Sequence, residues 1–530
     1  MAHHWAPAPM PREQIALFSP TLEETIGEDH PVRLWDEILR GIDWSAWVTP
    51  CGDHRGRPPI HPRILAGIIL YGLTHRFRSS RVLEYMCGHN LDFIWLAEGH
   101  QPDHTTLSIF RKESRAALKD LFRQVGRLAM AMGLVRLGEV AFDGTRVKAN
   151  ANRYETWTDA KIEAALVELE KEFERMMAEA DQADAARQGA MLPGESARCL
   201  PDELANLDAR RRKLRELQQT LQTQDEARRK EGKDPGKNPA QSPKADTDAK
   251  MMPNKEGGYA PNYTPTAAVD VASGLIVDCD VVADPNEHPQ TLPTVDRIEA
   301  TFGEKPQAFL ADAAHGTGEN LAGMEERGVA FYTPMESSRP QPGNPACRAD
   351  FHAPVAEEDW AKLPRNPQKQ LDKSCFAYEE QADRYWCPMG RVLEFAATEK
   401  AVRNGQKIEI RVYRCEDCEG CPLASSCRAP KAQRGRSIHR DAYEPLREAM
   451  AAQMHTPEGE AVYARRMHGV ETPFGYFKGV LGVRQFLLRG VKNVRTEWRW
   501  LCTTYNLKKL LAALGALRAR VARWIAEPAG

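Results

Sequence analysis

The order of strand-like and helical segments is the feature that most constrains the fold of this chain. Apolar segments with a strand pattern occur at 139–148, 263–282, 307–312 and 329–334. Apolar residues at helical spacing separate the first two segments, and shorter helices are expected at 291–301 and from about residue 318. Because strands that alternate with helices form mixed or parallel sheets, the order predicts an α/β fold with a mixed central sheet that is interrupted by insertions. The core is expected at 136–157 and 258–335, continued by a helical part at 441–530.

The first insertion has the pattern of a helical hairpin. Intervals of four and three residues, typical of a coiled-coil seam, separate Ile162, Leu166, Leu169, Phe173 and Met176. After a segment rich in Pro and Gly, a similar series that Arg211 interrupts consists of Leu204, Leu207, Leu214, Leu217 and Leu221. We therefore predict an inserted antiparallel hairpin over 158–257. Its end, 226–257, is rich in Lys, Pro, Gly and Asp and is expected to be a mobile linker.

Residues 1–135 have the pattern of a helical domain. One helix is expected to open at Pro62, and Asp103 or Thr105 is a suitable N-cap for a later one. Basic residues, including Arg111 and Lys112, lie on or beside these helices. Two interpretations have equal weight: a helical bundle with a solvated basic rim, and a DNA-binding domain.

Charge is balanced over the whole chain and concentrated near its end. The 530 residues include 72 Lys and Arg against 74 Asp and Glu, a net charge of −2, which excludes a uniformly basic nucleic-acid coat. Residues 461–530, however, contain 13 Lys and Arg against three Glu, with aromatic residues among them. Such a surface suits the DNA backbone and unstacked bases. The candidate DNA contacts are Arg465, Arg466, Lys478, Arg484, Arg489, Lys492 and Trp498. The alternative is an amphipathic core helix with a solvated basic side, which we favour for Trp498 and Trp500 taken alone.

The sequence contains no candidate membrane helix. Its longest apolar run, 64–73, is far below the ~20 residues that a spanning helix needs. The N-terminus has no charged region followed by an apolar one, as a secretory signal would. We therefore expect a cytoplasmic protein with no membrane partner.

Three carboxylates are candidates for a shared metal site. Asp143 and Asp312 lie at predicted strand ends, and Glu471 lies near a predicted helix start. Singly, a strand-end Asp is more often a turn former or cap. Together, converging carboxylates repel one another unless cations lie between them, and hard oxygen ligands favour Mg²⁺ or Mn²⁺. Two such ions can activate a water and stabilise the leaving oxygen of a phosphodiester. Lys478, two helical turns after Glu471, can contact the adjacent phosphate.

These segments resemble bacterial insertion-sequence transposases of the DDE type. FDGTRVKANAN at 142–152 is similar to the segment with the first catalytic Asp, and FLADAAHGTGENL at 309–321 to that with the second. YARRMHGVETPFGYFK at 463–478 is similar to the Tyr-Arg-Glu-Lys segment with the third acid, and GRPPIHPRIL at 56–65 to the N-terminal domain. Two departures stand out. Four residues, rather than three, separate Arg466 from Glu471, which makes Arg465 a rival. His315 replaces an expected aromatic residue.

The resemblance implies a ribonuclease-H-like core in which Asp143, Asp312 and Glu471 are catalytic and hold two Mg²⁺ or Mn²⁺ ions. It further implies binding of terminal inverted repeats and target DNA as a homodimer, hydrolysis at each element end, and strand transfer by the freed 3′-OH. Two alternatives remain: a nuclease that does not join strands, and a non-enzymatic zinc- and DNA-binding protein derived from a transposase.

A second insertion, 336–440, is rich in loops and cysteine. Five of its cysteines fall within a short window: Cys387, Cys415, Cys418, Cys421 and Cys427. Thiolates at two-residue spacing can bind one tetrahedral Zn²⁺, and a loop-rich insert with little core would gain stability from it. We predict a structural zinc site of Cys387, Cys418, Cys421 and Cys427, with Cys415 as substitute. The alternative is free thiols in a loose loop.

Overall fold

The computed structural model describes residues 20–47, 59–187, 202–230, 234–254, 257–335, 343–403, 406–428 and 434–526. The chain divides into two compact units. The first consists of Met1–Met132, Gly479–Gly482 and Arg499–Gly530, and the second of Gly133–Lys478 and Val483–Trp498.

The described part of the first unit is helical. Its N-terminal helices are α1 (Pro31–Arg40), α2 (Pro62–Thr74), α3 (Ser80–His89), α4 (Leu91–Leu96), α5 (His104–Glu113) and α6 (Arg115–Ala131). The predicted start at Pro62 is confirmed, and Asp103 is the N-cap of α5, accepting a 2.7 Å hydrogen bond from the Thr106 N–H. An aromatic cluster lies within this unit, where Trp47 stacks on Phe110 at 5.2 Å and lies 6.1 Å from Trp500.

The second unit contains most of the remaining elements. Its helices are α7 (Asp159–Arg187), α8 (Asp202–Lys230), α9 (Thr291–Phe302), α10 (Gly318–Arg327), α11 (Ala424–Cys427), α12 (Glu444–Met454) and α13 (Pro457–Gly475), with the start of α14 (Val491–Ala526). The strands of the main sheet and the hairpin region are β1 (Glu139–Gly144), β2 (Val147–Lys148), β3 (Thr156–Trp157), β4 (Ser242–Pro243), β5 (Lys250–Pro253), β6 (Tyr259–Asp270), β7 (Ile276–Val282), β8 (Ala308–Leu310) and β9 (Ala330–Tyr332). A separate sheet contains β10 (Ala377–Glu379), β11 (Arg384–Trp386), β12 (Val392–Arg403), β13 (Gln406–Arg414) and β14 (Ser437–Asp441).

The main sheet is mixed, as the sequence predicts. Strand β1 is antiparallel to β6 and parallel to β8, and β8 is parallel to β9. Strand β7 pairs with the second half of β6 in a hairpin that turns at Gly274, whose φ is 67°. Strands β2 and β5 pair with the first half of β6. Since β1 and β8 are adjacent and parallel, their carboxyl ends lie at the same edge of the sheet.

The long helices α7 and α8 pack through a common apolar cluster. Its buried members are Ile162, Leu169, Leu214, Leu221 and Ala240. Arg211, the interruption in the second leucine series, pairs with Glu170 of α7 at 2.7 Å. Leu204 of the predicted seam lies outside the residues whose side chains the structure describes.

Two expectations about loops are wrong. The described part of the expected mobile linker, 234–254, contains β4 and β5, and its Asp246 accepts a 2.7 Å hydrogen bond from the Tyr263 hydroxyl. The expected loop-rich insert contains the five-stranded antiparallel sheet β10–β14 and a buried core of its own, including Phe376, Tyr385 and Tyr413. In both cases strand pairing, mostly between strands that follow one another in the sequence, supplies order that composition does not predict.

The C-terminal region is less continuously helical than expected. Helix α13 passes into a π-helical turn, Tyr476–Val480, and 481–490 is not helical before α14 begins. Gly482 and Gly490 adopt positive φ values of 66° and 80°, which side chains disfavour within a helix. No described helix is both long enough and apolar enough to cross a membrane.

Candidate active site

Two predicted acids lie at the shared edge of β1 and β8. Asp143 is the fifth residue of β1, and Asp312 follows β8 by two residues. The Asp312 carboxylate accepts a 3.0 Å hydrogen bond from the Ala314 N–H and caps the short turn Ala313–His315. The Thr333 hydroxyl donates to the Asp312 carbonyl at 2.7 Å and so ties this loop to the residue after β9. The register of parallel strands therefore brings together acids that are 169 positions apart.

Basic residues of α13 and the π-helical turn surround the end of β1. Arg466 forms a 2.8 Å ion pair with Asp143, and its side chain is only 13% exposed. Arg465 instead pairs with Glu139 at the start of β1, at 2.9 Å. The Lys478 ammonium donates to the Thr145 hydroxyl. Of the two rival arginines, Arg466 is thus the one beside a predicted catalytic acid.

Glu471 does not join the other two predicted acids here. It is exposed, and it is not in the group of described residues whose ligand atoms lie within 4.8 Å of one another. The reason is helical geometry. Gly469 lies against β1 so closely that a Cβ would meet the Ala141 Cβ at 2.8 Å, and Glu471 is about 200° further around the helix. Its carboxylate therefore lies on the side of α13 away from the sheet.

The structure brings an unpredicted acid to this edge. Within the described residues, the group with ligand atoms inside 4.8 Å of one another is Glu287, Asp312 and His315. Burial raises the pKa of Glu287, and the negative charges of Asp143 and Asp312 add to this effect while Arg146 opposes it. Glu287 follows β7 in a loop, and no periodicity in the sequence marks it. A polar segment after a predicted strand, Asn286–Glu287–His288, was the only available signal.

His315 is fully buried beside Asp312. Its ring lies 5.3 Å from Phe142, nearly perpendicular to it, and its Nε2 is 3.6 Å from the Asp312 carboxylate. Burial lowers its pKa to about 4, although Asp312 acts in the opposite direction. His315, which stands where the family resemblance predicts an aromatic residue, is thus part of the site.

The predicted DNA contacts fall into exposed and buried sets. Arg484, Arg489 and Lys492 are exposed, and Arg489 donates to the Asn150 carbonyl at 2.9 Å. Trp498 is 1% exposed, and its indole N–H donates to the Thr266 carbonyl at 3.0 Å. The expectation that Trp498 contacts DNA is therefore corrected: it is a core residue, as the alternative interpretation has it.

In the helical unit the two predicted contacts also differ. The Arg111 guanidinium donates to the Arg78 carbonyl at 2.7 Å, and the Arg111 carbonyl accepts from the Trp500 indole at 3.1 Å. Lys112 is exposed. Trp500, like Trp498, is 1% exposed and belongs to a core.

All five predicted zinc-site cysteines line one small cavity beside the five-stranded sheet. The backbone approaches closely there, since a Cβ on Gly435 would meet the Cys415 carbonyl oxygen at 1.7 Å. Burial raises the pKa of Cys387, Cys415 and Cys427, the last to about 12. In the described residues no three of the sulfurs lie within 4.8 Å of one another. The five cysteines lie around one cavity, but their sulfurs are further apart than the ligands of a closed tetrahedral metal site.

Comparison with known proteins adds two family matches. Residues 386–511 match the family described as Transposase DDE domain, and residues 20–113 match the Transposase domain (DUF772) family. A search of curated proteins finds no match. The first match contains Glu471 and the cysteines, and the second covers the described N-terminal helices up to α5. The two matches support an insertion-sequence DDE transposase as the family that this chain resembles.

Proposed function

We propose that the chain binds the terminal inverted repeats of its own element and catalyses metal-dependent DNA cleavage followed by strand transfer. The observation that carries this proposal is the convergence of Asp143 and Asp312 at the ends of adjacent parallel strands, with Arg466 and Lys478 beside them. Transposase function itself follows from the family.

The sheet order supports a ribonuclease-H-like core. The path β7–β6–β1–β8–β9 has three antiparallel strands followed by two that are parallel to β1. This order puts the end of the central strand β1 next to that of β8, where Asp143 and Asp312 lie. The hairpin α7–α8 and the sheet β10–β14 are insertions into this order.

The residues at this edge fit divalent metal ions. Carboxylate oxygens are the ligands that Mg²⁺ and Mn²⁺ prefer, and the half-buried Asp143 and partly exposed Asp312 leave room for DNA and water. When bound, two such ions supply an activated water and charge stabilisation of the leaving oxygen. Asp143 must exchange its ion pair with Arg466 for metal, which frees the Arg466 guanidinium for a DNA phosphate. Lys478, held on Thr145, is placed to bind the adjacent phosphate.

Glu471 requires a change in α13 before it can act with the other acids. Pro473 lies inside the helix and removes the backbone donor that would bond the carbonyl of Gly469. The π-helical turn begins three residues later. We propose that DNA binding rotates this weakened end of α13 so that Glu471 faces Asp143.

The exposed residues Arg484, Arg489, Lys492 and Lys112 are proposed to bind DNA phosphates, with two copies of the chain acting on the paired element ends. For the cysteine cavity we propose one structural Zn²⁺ on Cys387, Cys418, Cys421 and Cys427, with Cys415 as substitute. The five cysteines that line one cavity support this proposal, because thiolates are the ligands that Zn²⁺ prefers, and binding of the metal would release the thiol protons to solvent.

The test is cleavage and joining on a plasmid that carries both element ends, with a second plasmid as target. Mg²⁺ is expected to give end cleavage and joined products, and Asp143→Asn, Asp312→Asn and Glu471→Gln to abolish both. Asp296→Asn is the control, because Asp296 is an acid of α9 that pairs with Arg327. Wild-type cleavage by all three variants would overturn the proposal.

Two other functions are distinguished by the same assay. Cleavage without joined products would indicate a nuclease. Specific binding to the ends without any metal-dependent cleavage would indicate a DNA-binding protein, the outcome that the exposed position of Glu471 favours among the alternatives.

A further inference from the structure

The hydrogen bonds around Thr291 can hold His315 with a proton on Nδ1. The Thr291 hydroxyl lies 2.7 Å from the His288 carbonyl and 2.8 Å from His315 Nδ1. The Asn320 amide nitrogen lies 3.1 Å from the His288 carbonyl, 3.2 Å from the Thr291 oxygen and 2.9 Å from the His315 carbonyl. When the Thr291 hydroxyl donates to the His288 carbonyl, its oxygen accepts from His315 Nδ1.

In this arrangement Nδ1 of His315 carries the proton and Nε2 presents a lone pair. The side chain is 0% exposed, and Nε2 has no hydrogen-bond partner. It lies 3.6 Å from the Asp312 carboxylate. Ligand atoms of Glu287, Asp312 and His315 all lie within 4.8 Å of one another. Three acceptors then meet at one partly buried point, an arrangement that is costly without a cation between them.

Gly144 contributes to this convergence. A Cβ at this position would lie 3.2 Å from the Glu287 carboxyl carbon and 3.0 Å from the Thr264 methyl group. A glycine directly after Asp143 therefore leaves room for the Glu287 side chain at the edge of the main sheet where β1 and β8 end.

We propose that Glu287, Asp312 and His315 Nε2 ligate one divalent transition-metal ion. This proposal deepens the proposed function, because Asp312 is shared with the catalytic carboxylates. It adds an imidazole and a fourth acid to that set. A hydroxyl hydrogen-bonded to the other ring nitrogen orients the ligand, as is usual for histidines that bind metal. Since imidazole is a better ligand for Mn²⁺ than for Mg²⁺, the site is expected to select Mn²⁺.

Pulsed electron paramagnetic resonance of Mn²⁺ bound to the full, untagged chain without DNA tests this assignment. The spectrum is expected to contain the ¹⁴N coupling of a directly coordinated imidazole, which changes to a ¹⁵N coupling when histidine is labelled. His315→Leu should abolish the coupling, and Glu287→Gln should keep it while weakening Mn²⁺ binding on the order of 10-fold or more.

His288→Ala is the matched control, because this imidazole belongs to the same segment but lies outside the ligand group. It should leave the nitrogen coupling unchanged. If wild-type protein saturated with Mn²⁺ shows no nitrogen coupling, the inference is wrong, whether or not His315→Leu folds. It is also wrong if the coupling persists in folded His315→Leu.

This outcome is separable from that of the proposed function. A protein that cleaves DNA but lacks nitrogen-coordinated Mn²⁺ would overturn only the inference. A protein with nitrogen-coordinated Mn²⁺ that neither cleaves nor joins DNA would overturn only the function.

Discussion

Residues of metal-binding types lie together in two regions. One is the edge of the main sheet where β1 and β8 end, here called the acid edge, and the other is the cysteine cavity of the five-stranded sheet. The two regions bring these residues together in different ways. At the acid edge, Asp143 and Asp312 are held at the ends of paired strands, and the backbone alone determines their separation. At the cavity, Cys418, Cys421 and Cys427 lie in loops or a single helical turn. Strand pairing therefore fixes the first arrangement. In the second, we propose that a bound metal ion brings the sulfurs closer together.

The two regions also differ in what stabilises them without metal. Asp143 already has a cationic partner in Arg466, so this carboxylate is neutralised within the protein. The cavity contains buried thiols whose pKa values burial raises, notably those of Cys415 and Cys427. Loss of metal from the acid edge should consequently abolish DNA cleavage. Loss of metal from the cysteine cavity should destabilise the five-stranded sheet.

The largest expected effect is at the acid edge. Asp312→Asn keeps the shape and the cap of the following turn but removes a metal-binding charge, so DNA cleavage should fall by about 10³-fold or more. Cleavage rates on an element-end substrate measure this, with unfolding monitored in parallel. Unchanged stability together with lost cleavage is expected, and Asp296→Asn should behave as wild type.

Removal of metal from the cavity should have the largest effect on stability. Chelation, or Cys427→Ser, is expected to release one Zn²⁺ per chain and to lower the unfolding free energy of the five-stranded sheet by about 3 kcal/mol or more. Metal analysis and thermal unfolding measure the two effects. Cys347→Ser is the control, because Cys347 does not line the cavity. If the purified protein contains no zinc, the proposed structural zinc site in the cavity is wrong.

The packing of α13 on β1 gives a smaller, purely steric effect. Gly469→Ala places a methyl group 2.8 Å from the Ala141 Cβ and should lower the unfolding free energy by about 1–3 kcal/mol. Gly475→Ala, in the same helix, meets no atom within 4 Å and should be neutral or slightly stabilising. Denaturant unfolding distinguishes them. Equal effects of the two substitutions would mean that α13 does not pack on β1 through Gly469.

The smallest expected effect is a pH dependence in the five-stranded sheet. Burial raises the pKa of Asp383, but hydrogen bonds from Tyr413 and Tyr378 and the charge of Arg411 outweigh it, so the pKa is lowered. Asp383 therefore stabilises the fold above about pH 4, its unfolded-state value, and this contribution is lost as the pH falls through the lowered folded-state pKa. Asp383→Asn should cost about 1 kcal/mol at pH 7.

Measurement of unfolding at several pH values checks the sign. The difference between wild type and Asp383→Asn should shrink as the pH is lowered below 4. A difference that stays constant would show that the carboxylate charge contributes nothing.

The sequence by itself predicts the features that depend on local periodicity and caps. The start of α2 at Pro62, the cap at Asp103 and the helices α7 and α8 follow from residue types and spacing. The resemblance in four short segments indicated the family that the two matches support, because those segments contain residues whose chemistry is specific.

Only the tertiary structure decided which residues meet. Glu287 and His315 join Asp312 because β7, β8 and α9 pack together, and no one-dimensional pattern records that packing. Trp498 is buried and Glu471 is exposed because their helices present those faces to the core and to solvent, respectively. Periodicity specifies a face but not its neighbour, since the neighbour is determined by strand pairing and packing between residues hundreds of positions apart.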